Sequence, residues 1–207
     1  MTGQDQLAFW RGQFGDGYIE RNAADDQTLA RREAKWRRIL GALPEPATSI
    51  LEVGANIGLN IRALANVTDA ELHAVEPNEK ARGILAGTGV IPAENIHDGF
   101  ASDMPLSDGA VDLAFTSGVM IHIPPDALLP SCQGIHRVAR RYIACVEYFN
   151  PTPVELEYRG HDGVLFKRDF GAFWLDNFPD LELVDYGFFW KRATGLDDLT
   201  CWLFRKT

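Results

Sequence analysis

Short runs of apolar residues alternate along the chain with longer stretches in which apolar positions recur at helical spacing. The longer stretches predict helices over residues 26–42, 60–67, 79–86, 126–140 and 170–178. The short runs predict strands at Ser49–Val53, Leu72–Glu76, Val90–His97, Val111–Phe115 and Tyr142–Tyr148. Because strands and helices alternate, we expect parallel strands joined by right-handed crossovers.

The two ends of the chain depart from this alternation. Residues 5–23 predict one or two short helices, broken near Gly15 and Gly17. Near the C-terminus, the runs Leu181–Trp190 and Leu199–Arg205 are expected to pair as an antiparallel hairpin. The predicted fold is a single three-layer α/β domain over residues 1–207, with helices on both faces of a mostly parallel sheet.

Composition and charge restrict the class of protein but do not indicate a particular function. Of the 207 residues, 46% are hydrophobic and 24% charged, as in soluble globular proteins, and the net charge is −9. An acidic surface disfavours nucleic acid as a partner, and no apolar run approaches the roughly 20 residues that span a membrane. The N-terminus lacks a signal-peptide pattern and the three cysteines lie far apart, so we expect a cytoplasmic protein with reduced thiols and no metal site.

The first predicted strand runs into a glycine-containing turn that opens a helix. Glu52 lies near the end of this strand, and Gly54, Asn56 and Gly58 follow it at alternate positions. Glycine lets the backbone approach a ligand closely, and asparagine tolerates the positive φ that such a turn needs. The spacing differs from the GxGxxG pattern of dinucleotide-binding proteins, and a tight turn without a ligand is the alternative interpretation.

A carboxylate ends the second predicted strand. Glu76 follows Gly58 by 18 residues, which is where a nucleoside-binding βαβ unit carries its ribose-binding acid. The two oxygens of Glu76 are able to accept hydrogen bonds from both ribose hydroxyls. Taken singly, such a residue is usually a solvated glutamate, but together with the glycine turn it predicts a nucleoside site.

Four segments in order resemble the motifs of the S-adenosylmethionine-dependent methyltransferases with the Rossmann-like fold. They are LEVGANIG, AVEPN, DGFASDMPLSDGAVD and DLAFTSGVMIHI, and together they span about residues 48–150. The resemblance implies S-adenosylmethionine as the cofactor and S-adenosylhomocysteine as its product. By position, the residues that it implies for cofactor binding in the first, second and fourth motifs are Glu52, Gly54, Asn56, Gly58, Glu76, Ser117 and Val119.

The third motif departs from the family pattern. The family usually carries an aspartate there that binds the adenine amino group, and this chain has Phe100 in its place. The candidates for the adenine contact are Asp98, the backbone of Ala101, and Ser102. Phe100 itself either stacks on the base or belongs to the core.

A closer resemblance, to the pseudaminic acid biosynthesis-associated methylases, extends over nearly the whole chain. The segments that carry it are FWRGQFGDGYIERN, EYFNP, EYRGH and LFKRDF. With the predicted elements, it divides the chain into an N-terminal helical lid (1–45), a cofactor-binding core (46–150) and an acceptor-side segment with the hairpin (151–207).

The lid is expected to contribute aromatic contacts to the cofactor. Trp10, Phe14 and Tyr18 fall at i, i+4 and i+8, so they share one face if the helix is continuous. That face covers the cofactor, or else it is an apolar stripe that packs on the edge of the sheet. By the family resemblance, Arg21 reaches the carboxylate of the cofactor.

Polar residues after the fourth and fifth strands are expected to meet the acceptor, because ligands of open α/β sheets bind at the carboxyl ends of the strands. His122 is the candidate general base, or else a backbone-bonded histidine that positions its loop. Tyr148 is the second candidate catalytic residue, as a donor or as a wall. The predicted substrate-binding residues are Glu147, Asn150, Arg159, His161 and Lys167. The cations among them favour a carboxylate or phosphate acceptor, unless they pair with acids at the surface.

These expectations combine into an enzyme that transfers a methyl group from S-adenosylmethionine to oxygen or nitrogen of a small polar metabolite. A sugar acid, a sugar nucleotide or a secondary metabolite fits that description, and no metal is required. We expect a monomer or a homodimer whose partner is the small-molecule acceptor. The alternatives are a cofactor-binding partner subunit without turnover and, against the glycine pattern, an NAD-dependent oxidoreductase.

Overall fold

The computed structural model describes residues 3–19 and 25–207. The helices are α1 (Gly3–Arg11), α2 (Gln13–Ile19), α3 (Asp26–Gly41), α4 (Leu59–Ala65), α5 (Glu79–Thr88), α6 (Pro125–Val138), α7 (Phe170–Asn177) and α8 (Lys191–Thr194). The strands are β1 (Ser49–Val53), β2 (Glu71–Val75), β3 (Ile96–His97), β4 (Val111–Ser117), β5 (Ala139–Glu147), β6 (Val154–Tyr158), β7 (His161–Lys167), β8 (Leu181–Phe189) and β9 (Leu199–Lys206). Short 3-10 helices lie at Ala93–Asn95 and Met120–His122.

Seven strands form one sheet in the order β3-β2-β1-β4-β5-β9-β8. The first five strands are mutually parallel, whereas β9 is antiparallel to β5 and β8 is antiparallel to β9. The predicted mostly parallel sheet with an antiparallel C-terminal hairpin is therefore confirmed. The chain runs from β1 to one side and then returns to build the other side from β4, which opens a crevice at the carboxyl ends of β1 and β4.

Apolar side chains cover both faces of this sheet and give the predicted three layers. All five residues of β1 are buried, as expected for a central parallel strand. In one core, the ring of Trp36 in α3 lies 4.2 Å from the ring of Phe115 in β4. In the other, the ring of Trp174 in α7 lies 6.3 Å from that of Phe204 in β9. The sheet is thus held between two helical layers.

Two predicted boundaries are wrong. The N-terminal helices separate at Gly12, whereas Gly15 and Gly17 both lie inside α2. Gly15 is needed for packing, because a Cβ there would collide with the carbonyl oxygen of Trp10. The third strand contains only Ile96–His97, since Pro92 has no N–H for a strand ladder and a 3-10 helix follows it.

The β6–β7 hairpin was not predicted from the sequence. It forms a separate two-stranded sheet, and its turn consists of Arg159 and Gly160, with φ of 55° and 78°. Positive φ at both central residues is typical of the tight turns that match the twist of a hairpin. The strands escaped prediction because most of their side chains are exposed or half-buried, which removes the apolar alternation.

Two further features bear on the class of protein. Among the residues that the structure describes, no helix is both long and apolar enough to cross a membrane. The three cysteines, Cys132, Cys145 and Cys201, are buried free thiols, and burial raises the pKa of each of them. A buried thiol with a raised pKa is a packing group and not a nucleophile.

Candidate cofactor and acceptor site

A cavity of about 710 Å³ opens at the carboxyl ends of the parallel strands. Its walls come from the turn after β1, the loops after β2 and β4, the helices α1 and α2, and the start of α6. The predicted site residues that line it are Trp10, Tyr18, Glu52, Gly54, Asn56, Glu76, Phe100, Ala101, Ser102, Ser117, Val119 and His122. We call this cavity the cleft.

The turn after β1 has the backbone conformation that its residues predict. Gly54, Asn56 and Gly58 all have positive φ, at 78°, 50° and 77°. A Cβ on Gly54 would lie 2.7 Å from the side chain of Val119, so glycine keeps the turn close to the loop after β4. Gly58 does not line the cleft; a Cβ there would collide with Leu85 of α5. Gly58 therefore has a packing role.

Glu76 follows β2 and is held by two backbone amides. Its Oε2 accepts from the N–H of Asn56 at 2.7 Å, and its Oε1 accepts from the N–H of Asn78 at 2.9 Å. Burial raises the pKa of this carboxyl, and the two backbone hydrogen bonds oppose that rise. Since each carboxylate oxygen has two lone pairs, both keep capacity for a further donor in the cleft.

Asn60 of α4 is the centre of a buried polar network that the sequence interpretation missed. Its Oδ1 accepts from the Nη1 of Arg32 at 2.9 Å and the Nζ of Lys35 at 3.1 Å. Its Nδ2 donates to the Oε1 of Glu52 at 2.6 Å. Lys35 also donates to the hydroxyl of Ser117 at 3.1 Å, so the network joins α3, β1, α4 and β4. A signal was present, because Arg32 and Lys35 lie on the apolar side of α3 near Trp36.

Burial shifts the pKa values of two members of this network toward their uncharged forms. It lowers the pKa of Lys35 and raises the pKa of Glu52. The Nε of Arg32 and the Oε2 of Glu52 are buried and have no hydrogen-bond partner in the described part of the chain. Arg32 and Glu52 both line the cleft. A guanidinium nitrogen and a carboxylate oxygen of two cleft-lining residues are thus left without a protein partner in the described part of the chain.

His122 ends the 3-10 helix after β4, and its tautomer follows from its hydrogen bond. The Nδ1 lies 2.7 Å from the carbonyl oxygen of Val164 in β7. A carbonyl oxygen only accepts, so Nδ1 carries the hydrogen and Nε2 keeps a lone pair. Burial lowers the pKa of His122 to about 4. The side chain is therefore an uncharged imidazole that both positions its loop and lines the cleft.

Helices α1 and α2 cover the cleft with aromatic rings, although the helix is interrupted at Gly12. The ring of Trp10 lies 5.3 Å from Phe14, 5.4 Å from Tyr18 and 4.8 Å from His122. The side chain of Asn78 ties these helices to the loop after β2, because its Nδ2 donates to the carbonyl of Trp10 and to Asp16. We call α1 and α2 the roof helices. Arg21 lies outside the described residues.

Asp98 is not available in the cleft as an adenine contact. Its Oδ1 accepts from Arg11 at 2.8 Å and from Arg82 at 2.9 Å, and it does not line the cleft. Phe100, Ala101 and Ser102 remain in the lining. Gln6 joins them from α1, 5% exposed, with an Nε2 that has no partner among the described residues.

The predicted substrate-binding residues do not line the cleft. Glu147 is buried, and its Oε1 accepts from the backbone amides of Val119 and Met120, both at 3.1 Å. Burial raises the pKa of Glu147 to about 7. Its role is to hold the loop after β4. Asn150 donates to the carbonyl of Thr152 at 2.6 Å, away from the cleft.

The cations predicted to bind an anionic acceptor are engaged by aromatic rings. Lys167 lies 4.9 Å from the ring centre of Tyr148, and Arg159 lies 5.5 Å from that of Tyr158. The imidazole of His161 packs 5.2 Å from the ring of Phe9. The predicted anion site is therefore not assembled in the cleft.

Tyr148 also lies outside the cleft lining, which corrects its assignment as a wall. The carboxylate of Asp197, in the loop before β9, interacts electrostatically with the hydroxyl of Tyr148. Burial and this carboxylate raise the pKa of Tyr148. Within the described ranges, no group of three or more potential metal ligands is brought together.

Comparison with known proteins agrees with this architecture. Residues 51–142 match the family described as a methyltransferase domain. A comparison with curated proteins gives no significant match. Among solved structures, this chain is similar to the 1,6-didemethyltoxoflavin N1-methyltransferase of Burkholderia thailandensis. That structure contains bound 1,6-didemethyltoxoflavin and S-adenosylhomocysteine. It has a TM-score of 0.74 and 19% identity, over 100% of this chain and 91% of the other.

Two further solved structures share the fold. The magnesium protoporphyrin IX methyltransferase of Synechocystis, with bound S-adenosylmethionine, has a TM-score of 0.67 and 12% identity, over 99% of this chain and 97% of its own. An S-adenosylmethionine-dependent methyltransferase of Leishmania major has a TM-score of 0.70 and 16% identity, over 97% and 82% of the two chains. The chain therefore shares the Rossmann-like fold of these S-adenosylmethionine-dependent methyltransferases, and its residues 51–142 match a methyltransferase domain.

Proposed function

We propose that the cleft binds S-adenosylmethionine and that the protein transfers its methyl group to oxygen or nitrogen of a small polar metabolite. The single observation that carries the proposal is the arrangement of Glu76, held by the amides of Asn56 and Asn78 beside the glycine turn. A carboxylate fixed at both oxygens suits the two hydroxyls of a ribose. The volume of about 710 Å³ accommodates a nucleoside cofactor together with a small acceptor.

The methionine end of the cofactor has matching charges in this chain. Methionine carries a carboxylate and an ammonium group, and the cleft is lined by Arg32 and Glu52, whose Nε and Oε2 have no protein partner among the described residues. Charge-assisted hydrogen bonds of this kind are the strong ones in buried sites. We therefore assign Arg32 to the carboxylate and Glu52 to the ammonium group. Asn60 fixes both side chains through its own hydrogen bonds.

The residues around Phe100 are the proposed contacts for the adenine of the cofactor, in place of the aspartate that the family usually carries. Phe100 supplies a ring, the backbone of Ala101 and the hydroxyl of Ser102 supply polar contacts, and Gln6 supplies an unpartnered amide. An amide both donates and accepts, which matches the amino group and ring nitrogens of adenine. We assign the base to this end of the cleft.

The bound sulfonium supplies an activated methyl group, so the chain must mainly hold the acceptor atom in line with it. The roof helices cover the cleft and exclude water from it. Asn78 holds them against the end of the cleft that we assign to the ribose. His122 presents the lone pair of Nε2 for the proton that the acceptor loses. The finer resemblance to the pseudaminic acid biosynthesis-associated methylases is part of this proposal, and it rests on residues 9–22 and 147–170 of the sequence.

Calorimetric titration with S-adenosylmethionine, S-adenosylhomocysteine and NAD tests the proposal. We expect both sulfur nucleosides to bind in the micromolar range and NAD to give no heat of binding. Binding of NAD alone would show that the nucleoside site has been misassigned. Binding of the sulfur nucleosides without methyl transfer to any acceptor tested would favour a partner subunit without turnover.

A further inference from the structure

Lys35 of α3 is a buried lysine to which the proposed function assigns no role. The residue is 3% exposed and does not line the cleft. Its Nζ donates to the Oδ1 of Asn60 and to the hydroxyl of Ser117, both at 3.1 Å, and these two residues do line the cleft. Lys35 therefore lies behind the cleft wall and connects two parts of it, the first turn of α4 and the end of β4.

Stability alone does not account for a lysine at this position. In the described part of the chain, its Nζ contacts two uncharged acceptors and, at 5.0 Å, the ring of Trp36, but it forms no ion pair with a carboxylate. A buried lysine of this kind costs free energy that an apolar side chain of similar length would not. Burial lowers the pKa of Lys35. The neutral amine still has two N–H bonds, so both hydrogen bonds are available in either charge state.

The orientation of the Asn60 amide follows from three donors that meet at one atom. The Nη1 of Arg32, the Nζ of Lys35 and the Nε1 of Trp36 donate to its Oδ1 at 2.9, 3.1 and 3.2 Å. An amide NH₂ group does not accept hydrogen bonds, so this atom is the oxygen and Nδ2 faces the other way. There it donates to the Oε1 of Glu52 at 2.6 Å. The donors from α3 thus fix the carboxylate of Glu52 through Asn60.

These contacts lie on the β4 side of the cleft. In the sheet, β4 is next to β1 on one side and β2 is next to it on the other. The carboxylate assigned to the ribose follows β2, and the residues assigned to adenine follow β3. The part of the cleft between β1 and β4 is therefore left for the amino-acid end of the cofactor. Glu52, Asn60 and Ser117 line it there.

We propose, building on the proposed function, that Lys35 is a positioning residue for the amino-acid end of the cofactor. It holds the amide of Asn60 and the hydroxyl of Ser117 in one arrangement before the ligand binds. Without its Nζ, Asn60 keeps two donors, but Ser117 loses its link to α3. Binding must then order this part of the wall, which lowers affinity for the amino-acid end and leaves the ribose and adenine contacts as they were.

Two ligands separate the ends of the cofactor in calorimetric titration. S-adenosylhomocysteine carries the amino-acid part, whereas 5′-methylthioadenosine keeps the adenine, the ribose and the sulfur but has a methyl group in its place. We expect Lys35→Met to weaken binding of S-adenosylhomocysteine about tenfold and to change binding of 5′-methylthioadenosine by less than about twofold. A residue with a purely structural role would weaken both ligands alike. Equal losses for the two ligands, or no loss for S-adenosylhomocysteine, would overturn the proposal.

Lys80→Met is the matched control, because Lys80 is exposed in α5. It should bind both ligands as the wild type does. If the wild type binds neither ligand, the proposed function itself is refuted. If the wild type binds both and Lys35→Met shows no selective loss, only the role of Lys35 is refuted.

Ser117→Ala tests the same link without changing a buried charge. It should also weaken S-adenosylhomocysteine several-fold and leave 5′-methylthioadenosine within about twofold. In the double variant with Lys35→Met, the losses should sum to less than the two single losses, because both changes remove one shared hydrogen bond. Fully additive losses would contradict the proposal. If Lys35→Met does not fold, Ser117→Ala decides, and an unselective loss or no loss in that variant would overturn the proposal.

Discussion

The backbone amide of Asn56 donates a 2.7 Å hydrogen bond to Oε2 of Glu76, although the two residues lie on different loops, 20 positions apart in the chain. Asn56 has φ of 50°, and this left-handed conformation belongs to the turn whose amide meets the carboxylate. The glycine turn and the acid after β2 therefore form one unit. Because this amide and this carboxylate must meet, a nucleoside site of this kind requires both the turn and the acid, at this spacing in the chain.

Replacing Glu76 by alanine should weaken binding of S-adenosylmethionine more than about tenfold, because contacts to two ribose hydroxyls are lost from a buried site. Calorimetric titration measures the change. Glu79→Ala is the matched control, since Glu79 is exposed in the first turn of α5, and it should bind as the wild type does. Equal affinity in a folded Glu76→Ala protein would contradict the placement of the ribose.

Alanine at Gly58 should lower the free energy of unfolding by about 2 kcal/mol or more, because positive φ is strained for alanine and its Cβ would collide with Leu85. Gly87 is the control, as it lies inside α5 with open space around it. Gly87→Ala should stabilise the protein by up to about 1 kcal/mol. Denaturant unfolding of both variants checks the contrast, and equal effects would refute the packing argument.

The buried imidazole of His122 should make stability depend on pH in the weakly acidic range. Its pKa is lowered from 6.5 to about 4 in the folded protein, so the unfolded chain binds the proton more readily between these values. The contribution of the uncharged imidazole to the free energy of unfolding is then fully present above about pH 6.5. It is lost, by up to about 3 kcal/mol, as the pH drops toward 4.

The measurement is denaturant unfolding of the wild type and of His122→Gln between pH 4 and 7, a range that includes the folded and unfolded pKa values of His122. Glutamine keeps an N–H for Val164 but does not titrate, so the variant should lose this part of the pH dependence. Replacing the exposed His161 by glutamine provides the control and should leave the wild-type curve. Parallel curves for wild type and His122→Gln would show that the imidazole does not resist protonation.

Gln6→Leu should raise the stability of the ligand-free protein by about 1 kcal/mol, because a buried amide nitrogen without a partner is removed. The same change should weaken cofactor binding several-fold if the amide contacts adenine. Thermal unfolding and calorimetric titration measure the two effects, with the exposed Gln13→Leu as control. Opposite signs for stability and affinity are the expected signature of a binding residue, whereas lower stability would indicate plain packing.

Local patterns were sufficient to predict β1, the turn after it and the C-terminal hairpin. The apolar run of β1 predicted a buried strand, and the bounds Ser49–Val53 agree with the structure. The positive φ of Asn56 was predicted from residue type, and the antiparallel pairing of β8 with β9 from two apolar runs. In each case, a preference that is local in the chain decides the conformation.

By itself, the sequence determined the order along the chain of the strands in the seven-stranded sheet, the glycine turn and the class of fold. Tertiary structure alone decided which polar groups reach the cleft, because those contacts join distant residues. Val164 lies 42 positions from His122 and sets its tautomer. Asp98 is drawn away by Arg11, 87 positions earlier. Neighbours in space, and not neighbours in the chain, determine which hydrogen bonds and charges remain free for a ligand.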